Sequence, residues 1–374
     1  MKMPPAVLQV LPALASGGVE RGTIEIAEAL RDAGLRPLVA SAGGALVADL
    51  ERLGVRHVAL PLATKSPLAI WRNAAALTAL ARAEDVRIIH ARSRAPAWSG
   101  LLAARRSGAA FVTTYHGAYN EGLPGKRLYN SVMARGDRVI AISGFIAELV
   151  QARHGVPAER IRLIPRGVDP RRFDPALVGA AAIAEQRAAW GAAPGDAVLL
   201  LPARLTRWKG QAVLLRALAM LPANLRVVFA GGGRDGYVRE LQALAEQLGV
   251  AGRLRMPGHV PELALALAAA DVVVHASTDA EAFGRTVIEA QAMARPVIAA
   301  DLGGPRETVE HGVTGWRVTP GDPAALAAML AQVLAMPAAA RQAVGDAARQ
   351  AVLARYSTAA MQAATLAVYR EFLA

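Results

Sequence analysis

The sequence contains no cysteine among its 374 residues. Without cysteine there is no disulfide framework, no thiolate nucleophile and no thiolate-bound metal. Also missing is an uninterrupted run of about 18 apolar residues, which a transmembrane helix needs. The longest candidate, residues 261–277, carries Glu262 and Asp271 and predicts a helix followed by a strand. We therefore expect a soluble protein.

A secretory signal peptide is not expected either. The apolar stretch near the start is short, is broken by Pro4, Pro5 and Pro12, and runs directly into a glycine-rich turn. This pattern predicts a buried strand rather than a cleaved leader, so the expected location is the cytoplasm. With 54% apolar and 19% charged residues, the chain has the composition of an ordered protein with a core.

Acidic residues are fewer than basic ones, and the formal net charge is +12. Residues 1–170 hold 22 Lys and Arg against 13 Asp and Glu, a net charge of +9; the remainder holds 20 against 17, a net charge of +3. Such asymmetry occurs in proteins that bind nucleic acid, anionic lipid or a polyanionic substrate, and also in an arginine-rich solvated surface. No aromatic-studded basic stripe is present, so no nucleic-acid partner is expected.

The length exceeds what one hydrophobic core usually organises, which predicts two domains. Short apolar runs alternate with segments of helical period, the pattern of βαβ units around a buried parallel sheet. The predicted strands of the first half are residues 6–12, 36–41, 86–91, 110–116 and 137–143, and those of the second half are 197–203, 225–231, 253–258, 271–277 and 295–301.

The boundary between these halves is predicted near residue 170, where prolines and glycines cluster between residues 165 and 175. The last segment follows a helical stretch and begins at Ser357, a residue type that caps helices. It predicts a separate terminal helix.

Two glycine-rich loops follow predicted strands. Gly17 and Gly18 precede a helix expected to start near Glu20, so their backbone N–H groups could cradle a phosphate; the alternative is an ordinary tight turn. Gly231, Gly233 and Gly236 have dinucleotide-binding spacing, but the next strand ends at residues 256–258 without the acidic residue that binds ribose. A nicotinamide dehydrogenase is therefore disfavoured, and no cofactor is expected.

Two cations follow the first strand of the second half. Arg204 and Lys209 are five positions apart, and a guanidinium with an ammonium stabilises the charge of a departing diphosphate without a metal. The alternative is a solvated basic loop. Further on, Glu281 and Glu289 flank a helix expected to begin near Gly284, so the two carboxylates could bind different hydroxyls of one ligand. A helix-surface glutamate is the alternative.

Three more residues follow strands. His116 ends a strand of the first half and is next to a glycine; a lone histidine is more often structural, but a position on a strand-end loop favours a functional role. Gly303 and Gly304 form a turn after a strand of the second half. All three are expected to face one cleft.

The segments SGGVE, YHG, RLTRWKGQ, EAFGRTVIEA and DLGGPRE, in this order, resemble the retaining GT-B glycosyltransferases of glycosyltransferase family 4. The resemblance covers essentially the whole chain. It implies an α/β fold of two Rossmann-like domains that face a cleft: an acceptor-side domain over residues 1–170 and a nucleotide-sugar donor domain over 171–355. A C-terminal helix, residues 356–374, is expected to cross back to the first domain.

The resemblance also implies roles for individual residues in the second domain. By similarity, Arg204 and Lys209 bind the donor diphosphate, and Glu289 binds the ribose hydroxyls. Residues expected around the transferred sugar and the base are Glu281, the amides of Ala282, Phe283 and Gly284, and Val260.

In the first domain, by similarity, His116 contacts the donor sugar near the reacting centre, and Gly17 and Gly18 line the diphosphate or acceptor side. The residues expected to act in catalysis are His116, Glu281, Arg204 and Lys209.

The implied reaction is the retaining transfer of a sugar from a UDP, GDP or ADP sugar to a glycan or lipid-linked acceptor, in lipopolysaccharide, capsule or other surface polysaccharide synthesis. No essential divalent metal is expected, because cations replace it and the sequence has no D-x-D motif; Asp301 is isolated. The basic first domain is compatible with peripheral contact on the inner face of an anionic cytoplasmic membrane. Alternatives are a nucleotide-sugar epimerase or hydrolase on the same fold, or a non-catalytic sugar-binding protein.

Overall fold

A computed structural model describes residues 4–15 and 17–373 of the chain, so Ser16 of the predicted glycine loop lies outside the described residues. The chain divides into two compact units. Unit 1 comprises Met1–Arg166 and Thr358–Ala374, and unit 2 comprises Gly167–Ser357. The division falls a few residues from the boundaries expected at 170 and 356.

Unit 1 contains a parallel sheet of seven strands. Its central strands are buried at nearly every position, which explains their largely apolar sequences. The strand order is β3-β2-β1-β4-β5-β6-β7. The strands are β1 (Ala6–Val10), β2 (Arg36–Ser41), β3 (Arg56–Ala59), β4 (Val86–Ala91), β5 (Ala110–Tyr115), β6 (Arg138–Ala141) and β7 (Ile161–Leu163). The helices of this part are α1 (Gly18–Asp32), α2 (Val47–Arg52), α3 (Pro67–Ala83), α4 (Arg94–Ser107), α5 (Lys126–Asn130) and α6 (Gly144–His154).

Unit 2 contains a parallel sheet of six strands in the order β10-β9-β8-β11-β12-β13. Its main core cluster, rich in leucine, valine and alanine, is formed by alternate strand residues on one face of the sheet and the helices packed against that face. The strands are β8 (Ala197–Pro202), β9 (Leu225–Ala230), β10 (Leu254–Gly258), β11 (Val272–His275), β12 (Val297–Ala300) and β13 (Trp316–Val318). The helices are α7 (Ala180–Ala189), α8 (Gln211–Leu218), α9 (Asp235–Gln247), α10 (Leu263–Ala268), α11 (Arg285–Ala292), α12 (Pro305–Thr308), α13 (Pro323–Ala335) and α14 (Ala338–Arg355).

The last helix, α15 (Thr358–Arg370), belongs to unit 1, as expected. Met361, Val368 and Tyr369 are buried in a core cluster with side chains of α1 and the unit 1 sheet. The Tyr369 hydroxyl also lies 2.5 Å from Nδ1 of His90 on β4. Both apolar burial and a buried hydrogen bond therefore attach the end of the chain to unit 1.

All ten strands predicted from apolar runs are present, and the α/β class is confirmed. The strands absent from that prediction, β3, β7 and β13, are all edge strands. An edge strand is covered on fewer sides, so its sequence need not be continuously apolar; the burial of β3, for example, is only partial. Of the four edge strands, only β10 was predicted, so the apolar-run signal is weakest at the sheet edges.

Within residues 4–15 and 17–373, none of the helices is by itself both long enough and apolar enough to cross a membrane. The consecutive helices α13 and α14 reach that length and composition only together, across a bend of 110°.

Candidate functional site

A buried carboxylate lies beside the ends of two neighbouring strands of unit 2. Glu281 Oε1 lies 2.5 Å from Nζ of Lys209 and 2.6 Å from Nε2 of His275, and it accepts a hydrogen bond from the Ser277 hydroxyl. Lys209 lies between β8 and α8, whereas His275 ends β11. Because β8 and β11 pair in the sheet, residues 66 positions apart in the chain meet here.

All of these contacts end on Oε1 of Glu281. None of these three hydrogen bonds, all made by described residues, reaches the other carboxylate oxygen, Oε2. The side chain of Glu281 is 12% exposed and that of Lys209 is 14% exposed. One carboxylate oxygen is thus held in place, while the other is left to accept a hydroxyl group.

The charges beside Glu281 oppose the effect of burial on its pKa. Burial raises the pKa of this carboxyl, but attraction to His275 and Lys209 and the hydrogen bonds from both outweigh that effect and hold the pKa well below its usual range. Glu281 is therefore an anion at neutral pH. Since a carboxylate only accepts hydrogen bonds, His275 must donate from Nε2.

The loop that carries Glu281 rests on the glycine turn after β12. The Gly304 N–H donates to the Glu281 carbonyl at 2.8 Å. A Cβ atom on Gly303 or Gly304 would overlap the backbone of residues 280–283. The Gly303–Gly304 turn thus supports this loop by close backbone approach, which larger residues would prevent.

Helix α11 begins after Gly284, as predicted, with Gly284 in the left-handed region at φ 80°. The Phe283 ring is buried against Tyr356, with ring centroids 5.6 Å apart, so it anchors the loop. Glu289 lies on the second turn of the helix, is 6% exposed and is 3.0 Å from Nε of Arg285. The alternative of a solvated surface glutamate is wrong for Glu289.

The two predicted cations have different surroundings. Arg204 is exposed directly after β8, and within the described residues its side chain has no hydrogen bond or ion pair. Lys209 is mostly buried, with Nζ 4.5 Å from the centre of the Trp208 ring. The alternative of a solvated basic loop therefore fails for Lys209, whereas Arg207, paired with Glu240 at 2.7 Å, fits that description.

The glycines with dinucleotide spacing serve packing instead. Gly231 and Gly233 lie against the loop that carries Arg204: a Cβ atom on Gly231 would overlap the Ala203 carbonyl, and one on Gly233 would lie 2.5 Å from Cβ of Leu205. Leu205 N–H donates to the Gly232 carbonyl at 2.8 Å. These glycines hold the Arg204 loop close to the end of β9, and nothing in their positions requires a dinucleotide.

Val260 is half-buried in the loop between β10 and α10. In the part of the chain that the structure describes, it has no hydrogen bond to Lys209 or Glu281. Its expected place near the base stays a prediction.

In unit 1, Gly17 is the residue before α1, with φ 133°, and Gly18 is its first residue, two positions earlier than expected. Arg166 donates to the Gly18 carbonyl, and its guanidinium fills the space that a Cβ atom on Gly22 would need. The side chain of Arg166 is 6% exposed and lies 4.0 Å from Glu25. The sequence pattern marked residues 165–175 only as a domain boundary and gave no indication of these Arg166 contacts.

His116 follows β5 in unit 1 and is surrounded by positive charge. Burial, and then the charges of Arg166 and Arg92, lower the pKa of His116 well below its ordinary value. Its Nε2 atom is buried and has no hydrogen-bond partner among the described residues. A neutral imidazole with one uncommitted nitrogen is suited to hydrogen bonding with a ligand hydroxyl.

The structure thus brings Lys209 and Glu281 together, with Gly284 and Glu289 on the turn and helix that follow Glu281. It adds His275, which the sequence pattern did not indicate. The available signal was its position at a strand end, six residues before Glu281. His116, Gly17 and Gly18 belong to unit 1. Across residues 4–15 and 17–373, no group of three His, Asp or Glu is arranged to hold a metal ion; metal independence itself stays a prediction.

Comparisons with known proteins decide the family. Residues 16–172 match the model of glycosyltransferase family 4, and residues 182–351 match that of the glycosyl transferases group 1. The crystal structure of a glycosyltransferase from Rickettsia africae is similar to this chain, with 34% sequence identity and a TM-score of 0.90. The match covers 99% of each chain. The chain belongs to the GT-B glycosyltransferases of family 4.

Other members of this group are similar over different lengths. Anabaena HepE, whose crystal structure contains UDP and glucose, is 26% identical in sequence to this chain, with a TM-score of 0.88. The match covers 98% of this chain and 100% of HepE. The D-inositol 3-phosphate glycosyltransferase of Xylanimonas cellulosilytica is 38% identical over 209 residues, which is 54% of this chain and 50% of that protein. The chain therefore spans about half the length of such curated relatives, whereas the likeness to solved GT-B structures is complete.

Proposed function

We propose that this glycosyltransferase transfers a sugar from a UDP sugar to a phosphorylated or lipid-linked glycan acceptor, with retention of configuration and without an essential metal. The observation that carries the proposal is the Lys209–Glu281–His275 group at the ends of β8 and β11. UDP is favoured over GDP and ADP because HepE binds UDP with glucose.

In this proposal, Arg204 and Lys209 stabilise the departing nucleoside diphosphate. Arg204 is exposed and unpaired in the described residues, and Lys209 is anchored by Glu281. Cations held before the reaction begins do not have to reorganise as charge develops on the leaving group. Glu281 Oε2 accepts a hydrogen bond from a hydroxyl of the transferred sugar, and the neighbouring amide N–H groups of residues 282–284 donate to oxygens of that sugar. Glu289 accepts hydrogen bonds from the ribose hydroxyls.

The bond between the anomeric carbon and the phosphate oxygen breaks, and the acceptor oxygen forms its bond to the same face of that carbon. The acceptor proton passes to the departing phosphate. In this proposal Glu281 is not the nucleophile: its low pKa makes the carboxylate weakly basic, and its uncommitted Oε2 binds a hydroxyl of the transferred sugar instead. Retention therefore follows from same-face substitution rather than from a covalent intermediate.

The acceptor is proposed to be anionic and to belong to surface polysaccharide synthesis, such as lipopolysaccharide or capsule. Residues 1–170 carry most of the net positive charge, which favours an anionic partner. The relatives named for D-inositol 3-phosphate also use a phosphorylated acceptor. We place the reaction in the cytoplasm, with the enzyme peripheral on the inner face of the membrane.

The first experiment needs no acceptor. The purified chain is incubated in EDTA with UDP, GDP, ADP and dTDP sugars, while the melting temperature and slow donor hydrolysis are recorded. A rise in melting temperature and slow cleavage with UDP sugars alone are expected. If no nucleotide sugar binds in EDTA, the proposal fails; binding and cleavage that depend on added Mg²⁺ would contradict metal independence.

Lys209→Ala tests the role of the cation. Loss of one preorganised charge at the leaving group is expected to lower turnover by about tenfold or more while the fold is retained. The matched control is Arg207→Ala, because Arg207 is in the same turn but is 75% exposed and paired with Glu240. Equal turnover of the Lys209 variant and wild type would remove Lys209 from the site.

A further inference from the structure

The side chain of Tyr356, which directly follows α14, contacts two segments that form the site in unit 2. Its ring meets the Phe283 ring edge to face, with the centroids 5.6 Å apart and the ring planes at 73°. Its hydroxyl donates to the Glu307 carbonyl of α12 at 3.2 Å. Phe283 belongs to the 281–284 loop, and α12 begins directly after the Gly303–Gly304 turn that supports this loop. One side chain from a distant part of the chain therefore contacts both the loop and its support.

Tyr356 is itself held at several points and is only 6% exposed. Its N–H donates to the Val352 carbonyl at 2.7 Å, and its carbonyl accepts from the Val168 N–H at 2.8 Å. Val168 also forms a parallel bridge with Ser357, the last residue of unit 2. The guanidinium carbon of Arg355 lies 5.1 Å from the centre of the tyrosine ring. A ring fixed in this way is a rigid support for whatever packs on it.

The contacts of Tyr356 act on the backbone of the loop rather than on the Glu281 carboxylate, which side chains at the ends of β8 and β11 already hold. The loop and the turn beneath it pack closely: a Cβ atom on Gly304 would overlap Cα of Phe283, and one on Gly284 would lie 2.7 Å from Cγ of Pro305. Because little space separates the two segments, a shift of either one displaces the loop amides.

We propose that Tyr356 is a positioning residue for sugar transfer. Through the Phe283 ring and the Glu307 carbonyl, it fixes the direction of the amide N–H groups in the 281–284 loop that bind the transferred sugar. The inference rests on the proposed function and deepens it: binding of the sugar depends on Tyr356, whereas binding of the diphosphate depends on Arg204 and Lys209. Donors aligned before the reaction lose much of their effect when they are displaced by a fraction of an ångström.

The first test compares a ligand that has the sugar with one that lacks it. Binding of UDP-glucose and of UDP to the full chain is measured by calorimetry, together with slow hydrolysis of UDP-glucose. Tyr356→Leu is expected to weaken UDP-glucose binding and to slow its hydrolysis by about tenfold or more, since the loop amides move. UDP is expected to bind with unchanged affinity. Equal weakening of both ligands, or weakening of neither, would overturn the inference.

Further variants separate positioning from packing. Tyr356→Phe keeps the ring on Phe283 and should retain most of the hydrolysis; a loss as large as that in Tyr356→Leu would overturn the role of the ring contact. Trp316→Leu is the matched control, because Trp316 is an aromatic residue buried in the core cluster of the same unit. It should lower stability without a selective loss of UDP-glucose binding, and an equally selective loss would overturn the inference. Phe283→Leu removes the other ring of the pair and gives the same test should Tyr356→Leu fail to fold.

Hydrogen exchange of the ligand-free chain distinguishes failure of the inference from failure of the proposed function. Peptides that cover residues 281–284 and 303–308 are expected to exchange faster in Tyr356→Leu than in the wild type, whereas those of α8 are not. If the wild type binds no UDP sugar but exchange rises at these residues, the proposed function is wrong and the support of the loop by Tyr356 stands. If the wild type cleaves UDP-glucose but neither exchange nor ligand selectivity changes in the variant, the inference alone is wrong.

Discussion

At the scale of single residues, Glu281 shows how a buried carboxylate remains charged. Burial alone would favour its protonated form, but His275 and Lys209 both supply hydrogen bonds and electrostatic attraction. Removal of a partner leaves the remaining charge poorly compensated, which costs more than the pair itself contributes. The side chain missed by sequence interpretation, His275, is thus the first group to test.

His275→Ala is expected to raise the pKa of Glu281, because attraction to His275 is the largest of the effects that lower it. If ionised Glu281 is needed for turnover, the acid limb of kcat/KM should move to higher pH. Ser277→Ala, which removes one neutral hydrogen bond from the same oxygen, should shift it less. An unchanged acid limb in His275→Ala would show that the contact is only structural.

The same pKa has a consequence for stability. A carboxyl whose pKa is lowered by folding stabilises the native state above its unfolded pKa of about 4.3, and this contribution is lost as the pH falls toward the native pKa. The free energy of unfolding of Glu281→Gln should therefore be lower than that of the wild type at pH 7, and the difference should shrink below pH 4.

At the scale of secondary-structure elements, Gly210 joins the Lys209 turn to α8. Its φ of 75° lies in the left-handed region, and a Cβ atom there would overlap the Ala276 carbonyl at the end of β11. Only glycine meets both conditions, so this position sets how closely Lys209 approaches the strand that carries His275.

Gly210→Ala is expected to lower the free energy of unfolding by about 2–4 kcal/mol, from left-handed strain and overpacking together. It should also lower turnover, because the Lys209 turn must move. Gly249→Ala is the control, since Gly249 has φ 68° in the same unit but nothing within 4 Å of its added Cβ. It should cost only about 1 kcal/mol. Chemical denaturation measures both; equal losses would refute the close-approach argument.

At the scale of the whole molecule, the histidines whose pKa is lowered all lie in one unit. Burial lowers the pKa of the fully buried His90 and, further along the sheet, of His116. His57 and His154 are also lowered by burial, although a nearby glutamate opposes the effect in each. All four belong to unit 1.

These pKa shifts predict that unit 1 loses stability between pH 7 and 5. Unfolded histidines take up protons near pH 6.5, whereas the buried native ones do not, so the stabilisation is present above that pH and declines below it. Hydrogen exchange, corrected for its intrinsic pH dependence, should show protection falling in unit 1 peptides before unit 2 peptides. His116→Asn should reduce the pH dependence. Earlier loss in unit 2 would contradict the prediction.

Local patterns in the sequence were sufficient for much of the fold. Every continuous apolar run became a strand, because a parallel strand buried on both faces must be apolar along its whole length. The start of α11 after Gly284 was also predicted from the sequence, since a glycine in the left-handed region permits the turn before the helix. Spacing alone likewise singled out Lys209 and Glu281, which the structure joins at 2.5 Å.

What only the tertiary structure decided was which distant residues meet. The pairing of β8 with β11 brings Lys209 to His275 and Glu281, and no periodicity in the sequence reports which strands become neighbours. The contact of Arg166 with Gly18 joins positions 148 residues apart for the same reason. Local residue preferences determine the elements, whereas the order of strands in the sheet determines which charges share a buried, low-dielectric region and therefore compensate one another.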